Sequence, residues 1–561
     1  MKGDVKVKRD CLLDRFDQWV ETTPDALLFR RLDVRHARHE TLSYIALHRR
    51  VEEFAAGLDR ISAPGDRILL TFPSGIEFIL AFLGCLAVRR IPVPHAVLRS
   101  SAGAGRLSRI IADCQASLCI APAAIAEKLS SLIDGPGSHP VVAFEKVVAE
   151  ASGAVTRLES EPDDIAFLQY TSGSTGQPKG VIVTHGNLSA NLEQIGTALP
   201  QEISHVVSWL PQFHDMGLVG ATLAPIYLGV ICSFFSPSEF IQRPLRWLTA
   251  LSELKADVSV APNFGYAYVL QRCKSEDIAS LNLSHVRLLM TGAEPVKSET
   301  LQRFTATLRE TGLRDDIYFP TYGLAEATLF VSGGPDGKRI STARMARDGH
   351  RCLEGETVEA GCEVVSCGAP GSAVEVRIYK PHSEVPVSPG EVGEICIRGE
   401  NVTPGYWGKP PNDPARRLLR TGDLGFMRNG ELFIAGRLKD LIILRGRNIY
   451  PQDIETVAQN LVPNGSENSC AAILHEDDLI LVQELPAAVR DKHAHAVLTS
   501  NITTRIAEMF EIRVDRIILT RSNTIPRTTS GKLSRSSLAL SLCTQEFPSV
   551  FDTSKETMEQ A

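Results

Sequence analysis

No two cysteines of this chain stand at metal-site or redox-motif spacing. The 12 are scattered, none forms C-x-x-C, and Cys362 and Cys367 are five apart. Zinc ribbons and thioredoxin-like motifs are thereby excluded, and reduced thiols in a cytoplasm are expected. H-E-x-x-H is missing as well, so His36/His39 and His493/His495 read as solvated surface rather than metal ligands. Long hydrophobic runs are absent. The greasiest stretch, residues 76–88, carries Glu77 and reads as a core helix rather than a membrane span. No apolar run follows the charges of Met1-Lys2-Gly3-Asp4-Val5-Lys6, so no signal peptide is expected. Positive charge is not in excess: Lys plus Arg is 59 against Asp plus Glu 66, a net of −7, which argues against a general nucleic-acid binder.

What is present is chain enough for a large core. The 561 residues make about three or four domain-sized units at roughly 150 each, and need no disulfide or metal staple. Hydrophobic residues are 43% and charged residues 22%, which excludes disordered, collagen-like and coiled-coil classes. β-Branched runs at residues 67–72, 118–120, 141–144 and 206–210 alternate with amphipathic stretches. That alternation predicts a parallel α/β core through about residue 340. After Val374 the texture becomes strand-rich, and after Gly436 a further compact unit runs to about Leu540.

The most informative stretch is the apolar run 165–170 followed by Thr171-Ser172-Gly173-Ser174-Thr175-Gly176-Gln177-Pro178-Lys179-Gly180. A strand feeding small hydroxyl residues, glycines and one lysine suits a phosphate cradle. Glycines let backbone N–H groups approach, hydroxyls donate, and the lysine neutralises charge. It is not a P-loop, because Lys179 precedes a glycine and no helix-opening Ser or Thr follows.

This stretch resembles the phosphate loop of the adenylate-forming superfamily of acyl-CoA synthetases, luciferases and peptide-synthetase adenylation domains. Four further words match in the family's order: Tyr322-Gly323-Leu324-Ala325-Glu326, Leu419-Arg420-Thr421-Gly422-Asp423, Gly436-Arg437-Leu438-Lys439-Asp440 and Pro526-Arg527-Thr528-Thr529-Ser530-Gly531-Lys532. The resemblance implies a large N-terminal domain, residues 1–436, of parallel-type sheets flanked by helices with a distorted β-barrel subdomain. A hinge at 437–440, centred on Lys439, would lead to a small mobile α+β C-terminal lid, 441–561. It also implies ATP and Mg²⁺. Glu326 and Thr175 would serve the metal, Tyr322 would stack on adenine, and Asp423 would accept from the ribose with Arg437 nearby. Lys532 would reach the carboxylate and α-phosphate. Nucleotide contacts are expected along 171–176, at Lys179 and along 322–325, and Gly292-Ala293-Glu294 resembles the adenine-side loop.

Within the superfamily, Trp209-Leu210-Pro211-Gln212-Phe213-His214-Asp215-Met216-Gly217-Leu218, Pro262-Asn263-Phe264-Gly265-Tyr266 and the segment 445–455 are similar to the fatty acyl-AMP ligases. Glu326 and Gly368 are 42 positions apart. The segment at about 331–364, with Arg339, Arg344, Arg347, Arg351 and Glu354, looks like that branch's insertion, associated with failure to use CoA. Trp209, His214, Asp215, Met216, Asn263 and Phe264 would line the acyl pocket, with His214 orienting or gating the carboxylate. A His214–Asp215 catalytic pair is not expected, since neighbours in a strand point apart. The implied reaction is acyl-AMP formation from a fatty acid, then transfer to the phosphopantetheine thiol of an acyl carrier protein in trans, by a monomer. An acyl-CoA synthetase is the alternative. A catalytically dead acyl-adenylate-binding module is the rival of another class, opposed by Thr175, Lys179, Glu326, Asp423 and Lys532 occurring together.

Overall fold

The computed structural model describes residues 10–33, 39–98, 104–133, 140–153, 155–171, 178–200, 202–334, 339–346, 349–353, 362–410, 418–444, 447–462, 469–475, 478–486, 492–510, 512–528, 531–544 and 547–554. The expected sites Ser172, Gly173, Ser174, Thr175 and Gly176, together with His36, Arg347, Glu354, Arg445, Thr529 and Ser530, lie outside these residues.

The fold is α/β, as the alternation of strands and helices predicts. A nine-stranded sheet runs, in spatial order, Ala369–Pro370, Phe330–Gly333, Tyr318–Gly323, Leu288–Thr291, Val258–Ala261, His205–Ser208, Ile231–Phe234, Leu27–Arg31 and Glu40–Ser43. The six strands from Tyr318–Gly323 to Leu27–Arg31 pair parallel, and the outer pairings are antiparallel. A second sheet, Ile91–His95, Arg67–Thr71, Leu118–Ala121 and Val141–Ala143, is parallel throughout. Parallel strands covered on both faces read as continuous apolar runs, and Leu118–Ala121 and Val258–Ala261 are buried at every position.

The helix Ile76–Ala87 is interior, and every residue except Glu77 is buried. Its Gly84 lets it approach the neighbouring helix Tyr44–Ile61, because a Cβ there would lie 2.5 Å from Cδ1 of Phe54. The strand-rich stretch after Val374 forms a four-stranded antiparallel sheet: Val374–Tyr379, Gly393–Gly399, Leu419–Arg428 and Glu431–Arg437. Within the expected insertion, Thr342–Met345 pairs between Cys352–Leu353 and Cys362–Val365. Its Ala343 packs on Phe426 and Phe433 of the four-stranded sheet. The strand Phe330–Gly333, at the start of the expected insertion, belongs instead to the nine-stranded sheet.

The C-terminal segment has its own core around the sheet Cys470–His475, Asp478–Leu485, Arg516–Arg521 and Phe551–Asp552. The helices Pro451–Asn460, Lys492–Phe510 and Arg535–Thr544 accompany it. Among the described residues no helix is long and apolar enough to cross a membrane.

Candidate active site

Ile165–Thr171 and Lys179–Thr184 form an antiparallel pair whose register sets Thr171 opposite Lys179 and Tyr170 opposite Gly180. Glycine at 180 is required by packing, since a Cβ would stand 2.8 Å from Cζ of Tyr170. The Tyr170 hydroxyl donates to Asp113. Burial, then Asp113, raises its pKa, so the phenol stays a donor and anchors the strand leading into 172–177.

Beyond the pair, the loop 401–407 lies along Lys179–Thr184. Ile182 N donates to Gly405 O (3.0 Å) and Trp407 N to Gly180 O (2.7 Å). This loop carries Tyr406, whose hydroxyl donates to Oε1 of Glu326 at 2.9 Å. Nζ of Lys179 lies 5.2 Å from the centroid of the Tyr406 ring.

Glu326 sits on the single 3₁₀ turn Ala325–Ala327 after the strand Tyr318–Gly323. The turn is strained: Thr328 holds φ +66°, a cost of roughly 1–3 kcal/mol for a β-branched residue. It persists because its surroundings over-determine it. Thr328 Oγ1 donates to Asn401 O (2.8 Å), Thr403 N to Glu326 O (3.0 Å), and Asn401 Nδ2 to Phe330 O (3.0 Å). Gly323 allows the turn to fold back, as a Cβ would lie 1.9 Å from Leu329 O. Among the described residues no three His, Cys, Asp or Glu side chains are grouped to hold a metal. Mg²⁺ is ordinarily bound by one or two carboxylates completed by phosphates and water, so a lone Glu326 fits that ion.

Tyr322 lies on the strand that precedes the turn, with its hydroxyl donating to Oδ2 of Asp423 at 2.7 Å. Arg437 Nε meets Oδ1 of Asp423 at 2.9 Å, because the antiparallel register sets Asp423 opposite Arg437. Burial and then Asp423 push the Tyr322 phenol well above its usual range. Among the described residues each Asp423 oxygen thus has one hydrogen-bond or ion-pair partner, and a carboxylate oxygen has a further lone pair for a hydroxyl donor.

The expected adenine-side loop, Gly292-Ala293-Glu294, follows the strand Leu288–Thr291. Gly292 is demanded by protein packing, since a Cβ would meet Thr321 Oγ1 at 2.4 Å. Ala293 holds φ +67°. Glu294 Oε1 accepts from Phe264 N at 2.5 Å, so it caps the helix Asn263–Arg272. Asn263 is a second pin of this junction, accepting from Lys297 N at 3.0 Å.

His214 and Asp215 overturn one expectation. The chain turns here instead of running as a strand, and His214 Nδ1 meets Asp215 Oδ1 at 2.5 Å. Asp215 also accepts from Met216 N (2.7 Å), capping the π-helix Met216–Leu223. Such helices are rare and cluster at functional sites. Burial would raise the Asp215 pKa, but His214 and then Lys532 outweigh it and bring it to about 2. Gln169, in the strand Ile165–Thr171, donates to Phe213 O at 3.0 Å and ties that strand to the turn carrying His214. Trp209 stacks on Phe240 (centroids 3.8 Å, 5° between planes), with Phe264 edge-on at 5.7 Å. Met216 packs against the same cluster.

Lys532 follows Gly531, whose N donates to Thr528 O (2.9 Å) and which holds φ +85°. The residue keeps an exposed face, yet its ammonium feels Asp215, Arg437, Glu294 and Asp423 together. Desolvation, assisted by Arg437, lowers its pKa against the pull of Asp215. A lysine from the C-terminal segment is therefore brought among groups of the N-terminal sheets. At the expected hinge, Leu438–Asp440 forms a 3₁₀ turn, and burial lowers the Lys439 pKa. Arg535 spans from Asp440 (3.4 Å) to Glu455 (2.7 Å). An open cavity of about 440 Å³ beside Thr197, Phe330, Gly368 and Glu431 is lined by none of these site residues.

Sequence reasoning missed Tyr406, Asn401, Gln169 and Asp113. Their only local signals are the Gly405-Tyr406-Trp407 word and a glutamine in an apolar strand.

Residues 16–407 match the AMP-binding enzyme family, and 439–550 match the AMP domain of Disco-interacting protein 2-like proteins. The chain is 35% identical to the medium-chain-fatty-acid–[acyl-carrier-protein] ligase JamA of Moorena producens, over 88% of this chain and 89% of that protein. It is 34% identical to FadD21 of Mycobacterium tuberculosis, whose name is that of a fatty-acid–CoA ligase, over 91% and 93%. A solved structure from work on fatty acyl-adenylate ligases of E. coli and L. pneumophila superposes with a TM-score of 0.87 at 33% identity, covering 95% of this chain and 97% of that one. The chain belongs to the AMP-binding, adenylate-forming enzymes, and among them to the fatty acyl-AMP ligases.

Proposed function

We propose that this chain activates a fatty acid at the expense of ATP and passes the acyl group to an acyl carrier protein acting in trans. In the first half-reaction a carboxylate oxygen attacks the α-phosphorus, a P–O bond forms, and pyrophosphate leaves. In the second, the phosphopantetheine sulfur attacks the acyl carbon and AMP departs. The feature that carries the reading is the electrostatic setting of Lys532, whose ammonium is influenced by the charges of Asp215, Arg437, Glu294 and Asp423. A cation there offsets charge growing on the carboxylate and α-phosphate oxygens, and such preorganised stabilisation is worth most where water is excluded. Asp423 accepts from the ribose, Tyr322 packs on the base, and Lys179 draws the phosphates. The His214 imidazole, oriented by Asp215, directs the carboxylate. Mg²⁺, when bound at Glu326, neutralises phosphate charge. Thr175 completes this set.

A monomer in the cytoplasm, with domains at 1–436 and 441–561 about a hinge at 437–440, suits this chemistry. One family match ends at residue 407 and the other begins at 439, so the change of family falls between them, next to the proposed hinge, and supports the division. The name of FadD21 favours a second reading, an acyl-CoA synthetase. Mass spectrometry of products from ATP, a fatty-acid panel, and either CoA or a holo-carrier separates the two. Acyl-AMP and acyl-carrier without acyl-CoA is expected; robust acyl-CoA from the intact chain promotes the second reading.

A further inference from the structure

Tyr406 belongs to none of the motifs that point to the reaction, yet two charged groups of the nucleotide site converge on it. Its hydroxyl donates to Glu326 Oε1 at 2.9 Å, and its ring centroid is 5.2 Å from Lys179 Nζ. One partner comes from the 3₁₀ turn after the nine-stranded sheet, the other from the strand leaving the phosphate loop. The aromatic is held in place from both sides. Its backbone bridges Val181, the flanking Gly405 O and Trp407 N bond to Ile182 and Gly180, and Thr403 N bonds the Glu326 carbonyl. The ring face attracts an ammonium, and a phenol donating to a carboxylate makes a charge-assisted bond.

We propose that Tyr406 is a positioning residue for Mg²⁺–ATP binding, a spacer that holds Lys179 and Glu326 apart and aims each at its own target. Without it, a flexible ammonium and a carboxylate near the same phosphates are free to pair with each other, and that pair must break before either serves the nucleotide. With it, Lys179 rests on the ring until phosphate oxygens draw it off. Glu326 meanwhile keeps one oxygen bonded and the other free to face a cation. The inference rests on reading Lys179 and Glu326 as the phosphate-side and metal-side groups.

Calorimetric titration with ATP, without fatty acid and in either Mg²⁺ or EDTA, tests it independently of turnover. Tyr406→Phe keeps the ring and loses the hydroxyl; Tyr406→Leu loses both. Tyr406→Phe should bind ATP normally in EDTA and lose on the order of tenfold of the Mg²⁺ enhancement. Tyr406→Leu should in addition bind several-fold more weakly in EDTA. Glu326→Gln should lose the enhancement by itself, and adding Tyr406→Phe to it should cost nothing more, because the two act as one unit. Wild-type Mg²⁺ enhancement in Tyr406→Phe, with Glu326→Gln deficient, overturns the role of Tyr406 and leaves Glu326 in place. If Glu326→Gln keeps the enhancement, the metal-side reading and the spacer fall together. Thermal melts confirm folding, and should Tyr406→Leu fail to fold, Tyr406→Phe and the double variant decide.

Discussion

Tyr450 donates its hydroxyl hydrogen to the carbonyl oxygen of Gly349 across 3.2 Å, joining the C-terminal segment to the small sheet inserted between Glu326 and Gly368. The ring is buried against Met345, Leu424 and Ala435. It fits because position 436 is glycine, where a Cβ would lie 2.5 Å from Tyr450 Cδ1. The inserted sheet therefore packs directly onto the chain that must move if the C-terminal segment rotates about 437–440. A device of this kind can gate a second half-reaction while sparing the first.

Tyr450→Phe removes the bond to Gly349 and keeps the ring, at a cost of about 1 kcal/mol. Tryptic cleavage at Arg437 and Lys439 should quicken several-fold while acyl-AMP formation stays within about twofold of wild type, since the weakened contact touches no reacting group. Time courses of proteolysis and pyrophosphate release read the two effects side by side. An unchanged cleavage rate would show that the bond does not restrain residues 437–440.

Lys532→Ala should lower acyl-AMP formation on the order of 10²-fold or more and leave the melting temperature near wild type, because an exposed turn loses a transition-state charge. Pyrophosphate release at saturating ATP and fatty acid checks it. Near-normal adenylation would remove Lys532 from the mechanism.

Asp423→Ala should raise the ATP KM by about tenfold with a smaller change in kcat, the pattern of a lost ground-state acceptor. Tyr322→Phe keeps the ring and frees Asp423 of one donor, so its ATP KM should move much less. Equal effects in both variants would mean that the Tyr322–Asp423 bond, rather than ribose recognition, accounts for the loss.

Asp453 supplies a pH dependence. Burial raises its carboxyl to about 6, against a bond from Cys362 of the inserted sheet that lowers it. The folded state then holds the proton more tightly than the unfolded chain, so stability is highest below about pH 4 as far as this group is concerned. It falls as pH rises through 6. The residue is only partly shielded from solvent, so the loss is on the order of 1 kcal/mol. Urea melts at pH 5 and pH 7.5 should show that loss in the wild type, and Asp453→Asn should flatten it. An identical slope in the variant would place the titration elsewhere.

The elements were legible wherever periodicity and local chemistry agree. Residues 76–88 read as a core helix, and the helix Ile76–Ala87 is buried except at Glu77. The apolar run before Thr171 read as a strand feeding a loop, and Ile165–Thr171 is that strand. Alternation along a strand would hold His214 and Asp215 apart, but the chain turns into a π-helix there and the two side chains meet. A helix with that hydrogen-bond spacing leaves no distinctive hydrophobic period in so short a segment.

The sequence by itself determined the family: the phosphate-loop word and the four motifs after it are contiguous runs whose chemistry is carried by residue type and spacing. Only the tertiary structure decided which of those residues meet. Tyr406 finds Glu326 across 80 positions and Tyr322 finds Asp423 across 101. Those distances depend on how the antiparallel sheet lies against the nine-stranded one, which no local pattern encodes. Lys532 feels Asp215 and Asp423 only because the C-terminal segment, with its own core, is packed onto the rest of the chain. Hydrophobic burial is non-directional and rewards any arrangement that removes apolar area from water. The particular arrangement follows from the fit of whole surfaces, such as the Tyr450 ring in the space left at Gly436.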